Sequence, residues 1–459
     1  MSNTSSAKVA LIPDVANNGT VIEAYYDPAR KCYWIANSRK CWIEINETSL
    51  RRHLRSYGLR NKAGEGELLS EINQKLNEIQ HTKDVAYAGP LAGHSSGLLD
   101  CAGNRILITS SPKLIEPIEG EWPILGLYLE RLLVDEQHDQ RPYVYGWLKI
   151  AYQALKMGVW RPGQALGLAG PRNCGKSLLQ KLITLILGGR VAKPYRYMSG
   201  STDFNADLFG AEHLMIEDEH SSTDIRSRRK FGANIKQFTV NQIQSCHDKN
   251  RRAITLAPFW RVSISVNDEP EEMMVLPPMS DSERDSLGDK LFLLRAQMTQ
   301  MPMPTANDRQ WEAFWKQLVS ELPAFIHFLV NFKVPKKLCC SRFGIKTWHH
   351  PELLAALDAL APQTRLLALI DEVIFSDHEV GDQLKVLGRK APWEGRAEKL
   401  EARLFESGFA YEAKKLLSWS SATGAYLGRL ASARPDRVKN GRTGESRDWI
   451  ILPPVRLGA

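Results

Sequence analysis

Hydrophobic and polar residues change their spacing along the chain, and each spacing predicts a different kind of structure. Before residue 121 the pattern is β-rich and irregular: Trp42-Ile-Glu-Ile45 alternates as a half-buried strand does. Residues 67–80 carry leucine and isoleucine at helical intervals, and residues 121–157 are apolar and helical. We therefore expect a mixed α+β domain over 1–120 and a helical connector over 121–157.

Residues 158–300 alternate short apolar strands with helices, which is the pattern of a parallel α/β layer. Strands are predicted at Gln164–Ala169, His213–Ile216 and Trp260–Val266. Met301-Pro-Met-Pro304 ends the alternation, and a helical region is expected over 301–390. Its predicted helices are Trp311–Leu318, Phe325–Val330, Pro351–Leu360 and Gln363–Phe375.

Residues 391–459 resemble a winged helix, with helices followed by a hairpin. Ser421–Arg434 would be the recognition helix and Val438–Leu452 the wing. Winged helices also mediate protein contacts, so binding to duplex DNA and binding to a protein both stay open. The basic side chains that would meet duplex phosphates are Arg429, Arg434, Lys439 and Arg442.

Composition places the chain among globular proteins. Hydrophobic residues make up 43% of its 459 residues and charged residues 24%, which excludes a fibrous or mostly disordered chain. No apolar run approaches the ~20 residues that cross a bilayer, so we expect no membrane partner. Met1-Ser-Asn-Thr-Ser-Ser lacks a secretory pattern, and the seven cysteines are scattered. Both features predict a cytoplasmic location.

Positive charge is concentrated in two stretches. The formal net charge is +8, yet residues 226–252 alone carry eight basic side chains against one acid, and residues 30–62 carry nine against two. Segregated charge of this kind favours a polyanion partner, because phosphate neutralisation releases condensed counterions. A solvated basic surface is the alternative. Tyr33, Trp34 and Trp42 could stack on bases, although burial in strands explains them better.

The strongest chemical signal is Gly170-Pro-Arg-Asn-Cys-Gly-Lys-Ser177, which matches the phosphate-loop pattern G-x-x-x-x-G-K-[ST] in full. A predicted apolar strand precedes it and an apolar helix follows it, as the mechanism requires. Lys176 would reach the β- and γ-phosphates, and Ser177 would ligate Mg²⁺. A glycine-rich turn entering a helix is the alternative. The expected nucleotide-binding residues are Gly170, Pro171, Arg172, Asn173, Cys174, Gly175, Lys176, Ser177 and Leu178.

Polar residues follow the next two predicted strands. Glu217, Asp218 and Glu219 end the second strand; we assign Asp218 to Mg²⁺ and Glu219 to the base that polarises the attacking water. Glu217 leaves an ambiguity of one residue, because side chains alternate at a strand end. Asn267 ends the third strand, where its amide would sense the γ-phosphate or orient water, unless it is only a turn residue.

These motifs, in this order between residues 170 and 267, resemble those of superfamily 3 helicases of viruses, phages and plasmids, an AAA+-related group. The helicase half of phage and poxvirus-type primase–helicases is the nearest likeness. The resemblance implies an AAA+-like ATPase core, ATP and Mg²⁺ as cofactors, and a homo-oligomer, expected to be a hexamer, around single-stranded DNA. It also implies that Lys249, with Arg251 or Arg252, contacts the strand.

The chain departs from this family at the residue that reaches a neighbour's γ-phosphate. Many members carry an arginine pair after the asparagine strand, whereas this chain has Arg284 as first choice and Lys290 as second. A lysine would supply charge without the planar grip of a guanidinium.

We therefore expect an ATP-dependent DNA helicase or translocase that moves on single-stranded DNA in a ring. Three alternatives stay open: a nucleic-acid-stimulated ATPase switch that does not unwind, a small-molecule kinase, and a non-catalytic DNA-binding initiator. The sequence leaves polarity, oligomer number and the choice between DNA and RNA undecided.

Overall fold

The computed structural model describes residues 22–217, 225–249, 251–270, 272–277, 279, 287–297, 300–376, 378–380, 384–386, 391–443 and 446–454. These residues form two compact units. The larger, here the core unit, takes its described residues from Met1–His220, Asp224–Asn267 and Asp289–Trp348. The smaller, here the C-terminal unit, takes them from Asp268–Gly288 and His349–Ala459.

Two small sheets and two helices begin the core unit. Asn46 and Ser70 cap the two helices, because each side chain accepts a hydrogen bond from a first-turn amide. Tyr33, Leu50 and Ile72 are buried between these helices and the first sheet. The elements are β1 (Ala24–Asp27), β2 (Cys32–Ala36), β3 (Trp42–Ile45), α1 (Glu47–Ser56), α2 (Glu71–Thr82), β4 (Tyr87–Gly89), β5 (Gly97–Cys101) and β6 (Asn104–Ile108).

The rest of the core unit is an α/β layer. Its helices are α3 (Pro123–Leu133), α4 (Arg141–Met157), α5 (Lys176–Ile186), α6 (Tyr195–Met198), α7 (Ile225–Val240) and α8 (Asp308–Asn331), with short 3₁₀ turns at Ala206–Gly210 and Lys336–Leu338. Its strands are β7 (Ala165–Ala169), β8 (Val191–Ala192), β9 (His213–Glu217), β10 (Gln244–Cys246), β11 (Ile254–Leu256), β12 (Arg261–Val266) and β13 (Leu291–Arg295).

Five parallel strands form the central sheet, in the order β13–β7–β12–β9–β8. Every residue of β7 and of β12 is buried, as expected where helices cover both faces of a parallel sheet. Val266 pairs with Ala169 and Ser265 with Glu217, so the carboxyl ends of three strands meet at one edge. The predicted α/β class with a parallel sheet is confirmed.

Two features differ from the predicted pattern. Strand β13 was not expected, yet it pairs with β7 along its whole length. The helices expected at Trp311–Leu318 and Phe325–Val330 are one helix, α8, which continues through Pro323. Burial of Leu322 and Phe325 on the two sides of this proline stabilises the unbroken helix against the lost backbone hydrogen bond.

One hydrophobic core joins the helices α3, α4, α5 and α8 to the central sheet. Tyr128 and Trp147 lie in it together with Leu166, Phe292 and Phe325. The predicted connector, 121–157, therefore packs against the same sheet as the phosphate loop. The predicted division of the chain into five parts stays a prediction.

A buried ion pair attaches the β4–β6 region to the edge of the central sheet. Glu212, which is fully buried, pairs with Arg190 and accepts a hydrogen bond from the amide of Gly93 at 2.8 Å. Arg190 also donates to the carbonyl oxygen of Ser110 at 3.1 Å. A buried pair is costly unless its remaining hydrogen bonds are satisfied, and these backbone partners satisfy them.

The C-terminal unit contains groups of helices and short antiparallel strands. One antiparallel sheet has the strand order Trp393–Gly395, Ser446–Ile451, Val438–Thr443, and its Trp449 lies in one hydrophobic cluster with Leu366 and Tyr426 of two helices. The helix–hairpin order expected over 391–459 is present, and its assignment as a winged helix stays a prediction. The elements are a 3₁₀ turn (Glu272–Val275), α9 (Pro351–Ala359), α10 (Pro362–Ile370), a π turn (Asp371–Phe375), β14 (His378–Val380), β15 (Leu384–Val386), β16 (Trp393–Gly395), α11 (Ala397–Phe405), α12 (Ala410–Leu416), α13 (Ala422–Ala433), β17 (Val438–Thr443) and β18 (Ser446–Ile451).

Among the described residues, no single helix has both the length and the apolar character needed to span a bilayer. The pair 351–359 and 362–375 reaches that length only when joined across a bend of 68°.

Candidate nucleotide and nucleic-acid sites

The phosphate loop connects β7 to α5, and two of its residues have positive φ angles. Gly175, the N-cap of α5, has φ of 104°, and Asn173 has φ of 60°. A Cβ on Gly170 would lie 2.2 Å from the carbonyl oxygen of Ala296. The loop thus leaves no room for a side chain at its start and turns sharply into the helix N-terminus, where backbone amides bind anions. These residues fit a nucleotide phosphate.

Lys176 lies inside this loop. It is 7% exposed, and its Nζ donates to the carbonyl oxygens of Gly170 at 2.8 Å and Pro171 at 2.7 Å. A third hydrogen bond joins Nζ to Oδ1 of Asn267 at 3.1 Å. The structure therefore brings together two residues that the sequence assigned separately to one site.

The other predicted loop residues occupy different environments. Cys174 and Leu178 are buried in the hydrophobic core, so their contribution to a nucleotide site would come from the backbone. Arg172 and Asn173 are exposed, and Pro171 and Ser177 are partly exposed. Ser177 lies in the first turn of α5.

Tyr128 supports the loop from α3, and no sequence motif pointed to it. Its hydroxyl donates to the carbonyl oxygen of Gly175 at 2.8 Å. Burial raises the pKa of Tyr128 well above its ordinary value, so the phenol keeps its donor proton. The contact joins residues far apart in the chain, and a tyrosine on a buried helix face carries no signal of it.

The acidic residues are only partly described. Glu217 ends β9 beside Ser265 of β12, at the carboxyl edge of the sheet. Asp218 and Glu219 lie outside the described residues, as does Arg284. The choice among the three acids therefore stays a prediction.

Lys290 lies directly before β13, at the opposite, amino-terminal edge of the sheet from the phosphate loop. Its carbonyl oxygen accepts from the amide of Ala165, the first residue of β7, at 2.8 Å. Its ammonium pairs with Asp289, which also pairs with Arg342 at 3.3 Å. Lys290 is thus remote from its own chain's loop, and its role toward a neighbouring chain stays a prediction.

A buried polar network holds α5 against the sheet. The imidazole of His213 lies 2.7 Å from the hydroxyl of Thr184 on α5 and 2.7 Å from that of Ser263 on β12. Gln180 of α5 donates to Ser263 at 2.8 Å and to the carbonyl oxygen of Ile216 at 3.1 Å. Burial lowers the pKa of His213 from 6.5 to about 3, so the imidazole is neutral.

The basic stretch ends in a hairpin formed by β10 and β11. Lys249 and Arg252 are exposed in the turn region of this hairpin. Arg251 is not: its side chain is 23% exposed, pairs with Asp248 at 3.3 Å and lies 4.0 Å from the carboxylate of Asp27. Of the three nucleic-acid contacts predicted in this hairpin, Arg251 is therefore held by carboxylates of the protein itself.

A loop before the 3₁₀ turn at 206–210 fixes the hairpin and adds an aromatic side chain. The side chain of Asn205 donates to the carbonyl oxygen of Ser245 at 2.9 Å and accepts from the amide of His247 at 2.7 Å. Phe204 is 44% exposed, and its ring centroid lies 5.2 Å from that of His247. An aromatic residue inside the polar loop Ser201-Thr-Asp-Phe-Asn205 is a signal that sequence reasoning overlooked.

Two of the four basic residues predicted to contact DNA in the C-terminal unit have partners within that unit. Arg429 of α13 lies over the ring of Tyr426 at 5.7 Å, and Arg434 pairs with Asp436 at 3.2 Å. Lys439 is exposed on β17. The side chain of Arg442 lies outside the described part of the chain.

Comparison with known proteins finds similarity in structure but none in sequence families. No protein-family model and no curated protein matches the chain. The NrS-1 C-terminal region, in its A-form apo structure, is similar over 94% of this chain and 97% of that one, with a TM-score of 0.51 and 11% identity. The SCCmec type IV Cch active helicase is similar over 90% of this chain and 73% of that one, with a TM-score of 0.29 and 10% identity. The JCV helicase is similar over 46% and 60%, with a TM-score of 0.22 and 12% identity.

At 11% identity, the likeness to the NrS-1 C-terminal region shows a similar fold. The resemblance predicted from the motifs is confirmed at the level of the fold, which the chain shares with the NrS-1 C-terminal region.

Proposed function

We propose that this protein is an ATP-dependent helicase or translocase of the superfamily 3 type that moves on single-stranded DNA. The main support is the geometry at the carboxyl edge of the parallel sheet. There the phosphate loop follows β7, and Lys176 of that loop meets Asn267 at the end of the neighbouring strand β12. A lysine and an amide converging at this edge suit the terminal phosphates of a nucleotide.

In the proposed reaction, the loop amides and the N-terminus of α5 bind the phosphates of ATP. Lys176 exchanges the carbonyl oxygens of Gly170 and Pro171 for phosphate oxygens, and Asn267 orients the terminal phosphate or the attacking water. Ser177 and Asp218 would hold Mg²⁺, which neutralises charge on the phosphates, and Glu219 would polarise the water.

The proposed strand-binding surface is the exposed part of the β10–β11 hairpin. Lys249 and Arg252 supply cations for the strand's phosphates, and Phe204 beside His247 supplies an aromatic surface for bases. The 3₁₀ turn and Asn205 connect this hairpin to the strand β9 that precedes the predicted acids. A movement of these acids on ATP hydrolysis would therefore reach the hairpin through a short segment of chain.

Assembly completes the proposal. A homo-oligomer, expected to be a hexamer, would enclose the strand and supply Arg284 or Lys290 to the neighbouring nucleotide. The C-terminal unit would contact duplex DNA through Arg429, Arg434, Lys439 and Arg442 if it acts as a winged helix.

Replacing Lys176 by alanine tests the proposal most directly. We expect Lys176→Ala to abolish ATP turnover and the displacement of a labelled strand, whereas Lys181→Ala, which removes an exposed lysine from the same helix, should leave both unchanged. Persistent turnover in Lys176→Ala would refute the site. DNA-stimulated turnover without strand displacement in the unaltered protein would instead indicate an ATPase switch.

A further inference from the structure

A cavity of about 620 Å³ lies in the core unit between the N-terminal strands and the turn end of the β10–β11 hairpin. The turn between β1 and β2, the strand β4, the 3₁₀ turn at 206–210 and the hairpin form its walls. This volume is within the range of small-molecule sites. None of its lining residues belongs to the phosphate loop, so it is separate from the nucleotide site proposed above.

Two arginines give the cavity positive charge that the protein compensates incompletely. Arg252 is exposed and forms no ion pair with a carboxylate in the described part of the chain. Arg30, whose side chain is 40% exposed, lies 3.4 Å from Glu44 and 3.9 Å from Asp27, at the long end of ion-pair distances. A phosphate group would offer both guanidiniums shorter, charge-assisted hydrogen bonds.

A third arginine, Arg251, lines the cavity and is held in place by carboxylates. Arg251 pairs with Asp248 on its own hairpin and reaches toward Asp27 at the end of β1. Asp27 is 1% exposed, and its Oδ1 accepts from the amides of Ala29 and Arg30 at 3.0 Å each. The same carboxylate therefore shapes the turn that presents Arg30 and holds the hairpin beside it.

The remaining lining suits a nucleobase. Trp34 and Tyr87 contribute aromatic surface, and the hydroxyl of Tyr87 is occupied by a hydrogen bond to the carbonyl oxygen of Pro90 at 2.7 Å. Asp207 is exposed and has no hydrogen bond or ion pair with another described residue. Its carboxylate is an acceptor for the amino groups of cytosine, adenine and guanine, which thymine lacks.

We infer that this cavity binds one nucleotide of the single strand, with its phosphate on Arg30 and Arg252. The base of this nucleotide packs against Trp34 and Tyr87, and Asp207 favours a base that carries an amino group. The inference builds on the proposed function and deepens it, because the single-stranded DNA bound by the hairpin would make a second contact with the N-terminal β-strands.

Calorimetric titration of the full chain with dCMP tests the inference without requiring ATP turnover. We expect dCMP to bind more tightly than dTMP, deoxycytidine or inorganic phosphate. Arg30→Ala and Arg252→Ala should each weaken dCMP binding roughly tenfold or more. Arg39→Ala removes an exposed arginine from the turn between β2 and β3, which does not line the cavity, and it should leave binding unchanged.

A second variant tests base selection. Asp207→Asn should reduce the preference for dCMP over dTMP while keeping the dependence on Arg252. Absence of dCMP binding, or equal binding by the three arginine variants, would overturn the inference, and the latter result would place dCMP elsewhere, for instance at the phosphate loop. If the unaltered protein binds dCMP but turns over no ATP, and Arg252→Ala loses the dCMP binding, the cavity site is supported and the proposed function is refuted.

Discussion

Lys176 Nζ donates a hydrogen bond to Oδ1 of Asn267 over 3.1 Å, although 91 positions separate the two residues in the chain. The parallel register produces this contact: Val266 pairs with Ala169, so the residues that follow these two strands meet at the same edge. Under the proposed function, Lys176 would exchange these partners for phosphate oxygens, and Asn267 would then lie beside the phosphate. The pair would thereby couple nucleotide binding to the end of strand β12.

Asn267→Ala should lower the turnover number for ATP by roughly a hundredfold, because one positioned polar group at a developing charge is worth about this much. The Michaelis constant should change far less, since the loop amides and Lys176 remain. Steady-state ATPase kinetics measure both. Asn241→Ala removes an exposed asparagine at the end of α7 and should behave as the unaltered protein. A turnover number within twofold of normal in Asn267→Ala would show that Asn267 is only a turn residue.

Tyr128→Phe should weaken ATP binding by about 1 kcal/mol, or roughly fivefold, because the carbonyl oxygen of Gly175 keeps only the amide of Leu179 as a donor and the loop loses a support. Fluorescence titration with a labelled ATP analogue measures the change. Tyr145→Phe is the matched control, because Tyr145 lies in the same hydrophobic core and its hydroxyl makes no hydrogen bond to another described residue. Equal affinities for the two variants would contradict a supporting role for Tyr128.

The strand–loop–helix geometry of residues 165–186 could be predicted largely from local sequence. A phosphate loop has to lie between a strand and a helix, and apolar runs on both sides of residues 170–177 supply them. Strands β7, β9 and β12 followed within about one residue because each is a short apolar run bounded by polar residues.

What the sequence did not predict depends on contacts between distant residues. Strand β13 follows a charged stretch, and its assignment as a strand depends on its pairing with β7, which the sequence does not show. It matters to the site, because Ala296 directly after it closes against Gly170. The approach of Arg251 to Asp27 is equally hidden from sequence reasoning, because Asp27 lies at the end of β1, far from Arg251 in the chain.

Stability should fall on mild acidification, and His213 should account for part of the loss. Its pKa in the folded protein, about 3, lies below the ordinary 6.5, so the unfolded chain binds more protons between these values. The stabilisation that neutral His213 contributes is therefore complete above pH 6.5 and declines as the pH falls through this value. Between pH 7.5 and pH 5.5 the loss should be about 1.4 kcal/mol.

Urea denaturation of the unaltered protein and of His213→Gln at the two pH values measures this contribution. The variant should be less stable at pH 7.5 but should lose about 1.4 kcal/mol less on acidification. An identical pH dependence in the two proteins would mean that His213 titrates normally in the fold, and the neutral network with Thr184 and Ser263 would then be wrong.

The hairpin cations should contribute unequally to strand binding. Lys249 is exposed, whereas Arg251 is already paired with Asp248 and near Asp27, so a phosphate would have to compete with these carboxylates for it. For a single strand, each phosphate contact adds about 0.7 to the slope of log affinity against log salt concentration. Fluorescence anisotropy with a labelled oligonucleotide at several salt concentrations should show that Lys249→Ala lowers the slope by about this amount, while Arg251→Ala leaves it nearly unchanged. The two variants remove the same charge from one hairpin and so control for each other. A larger loss of slope in Arg251→Ala would mean that Arg251 leaves its carboxylates when the strand binds.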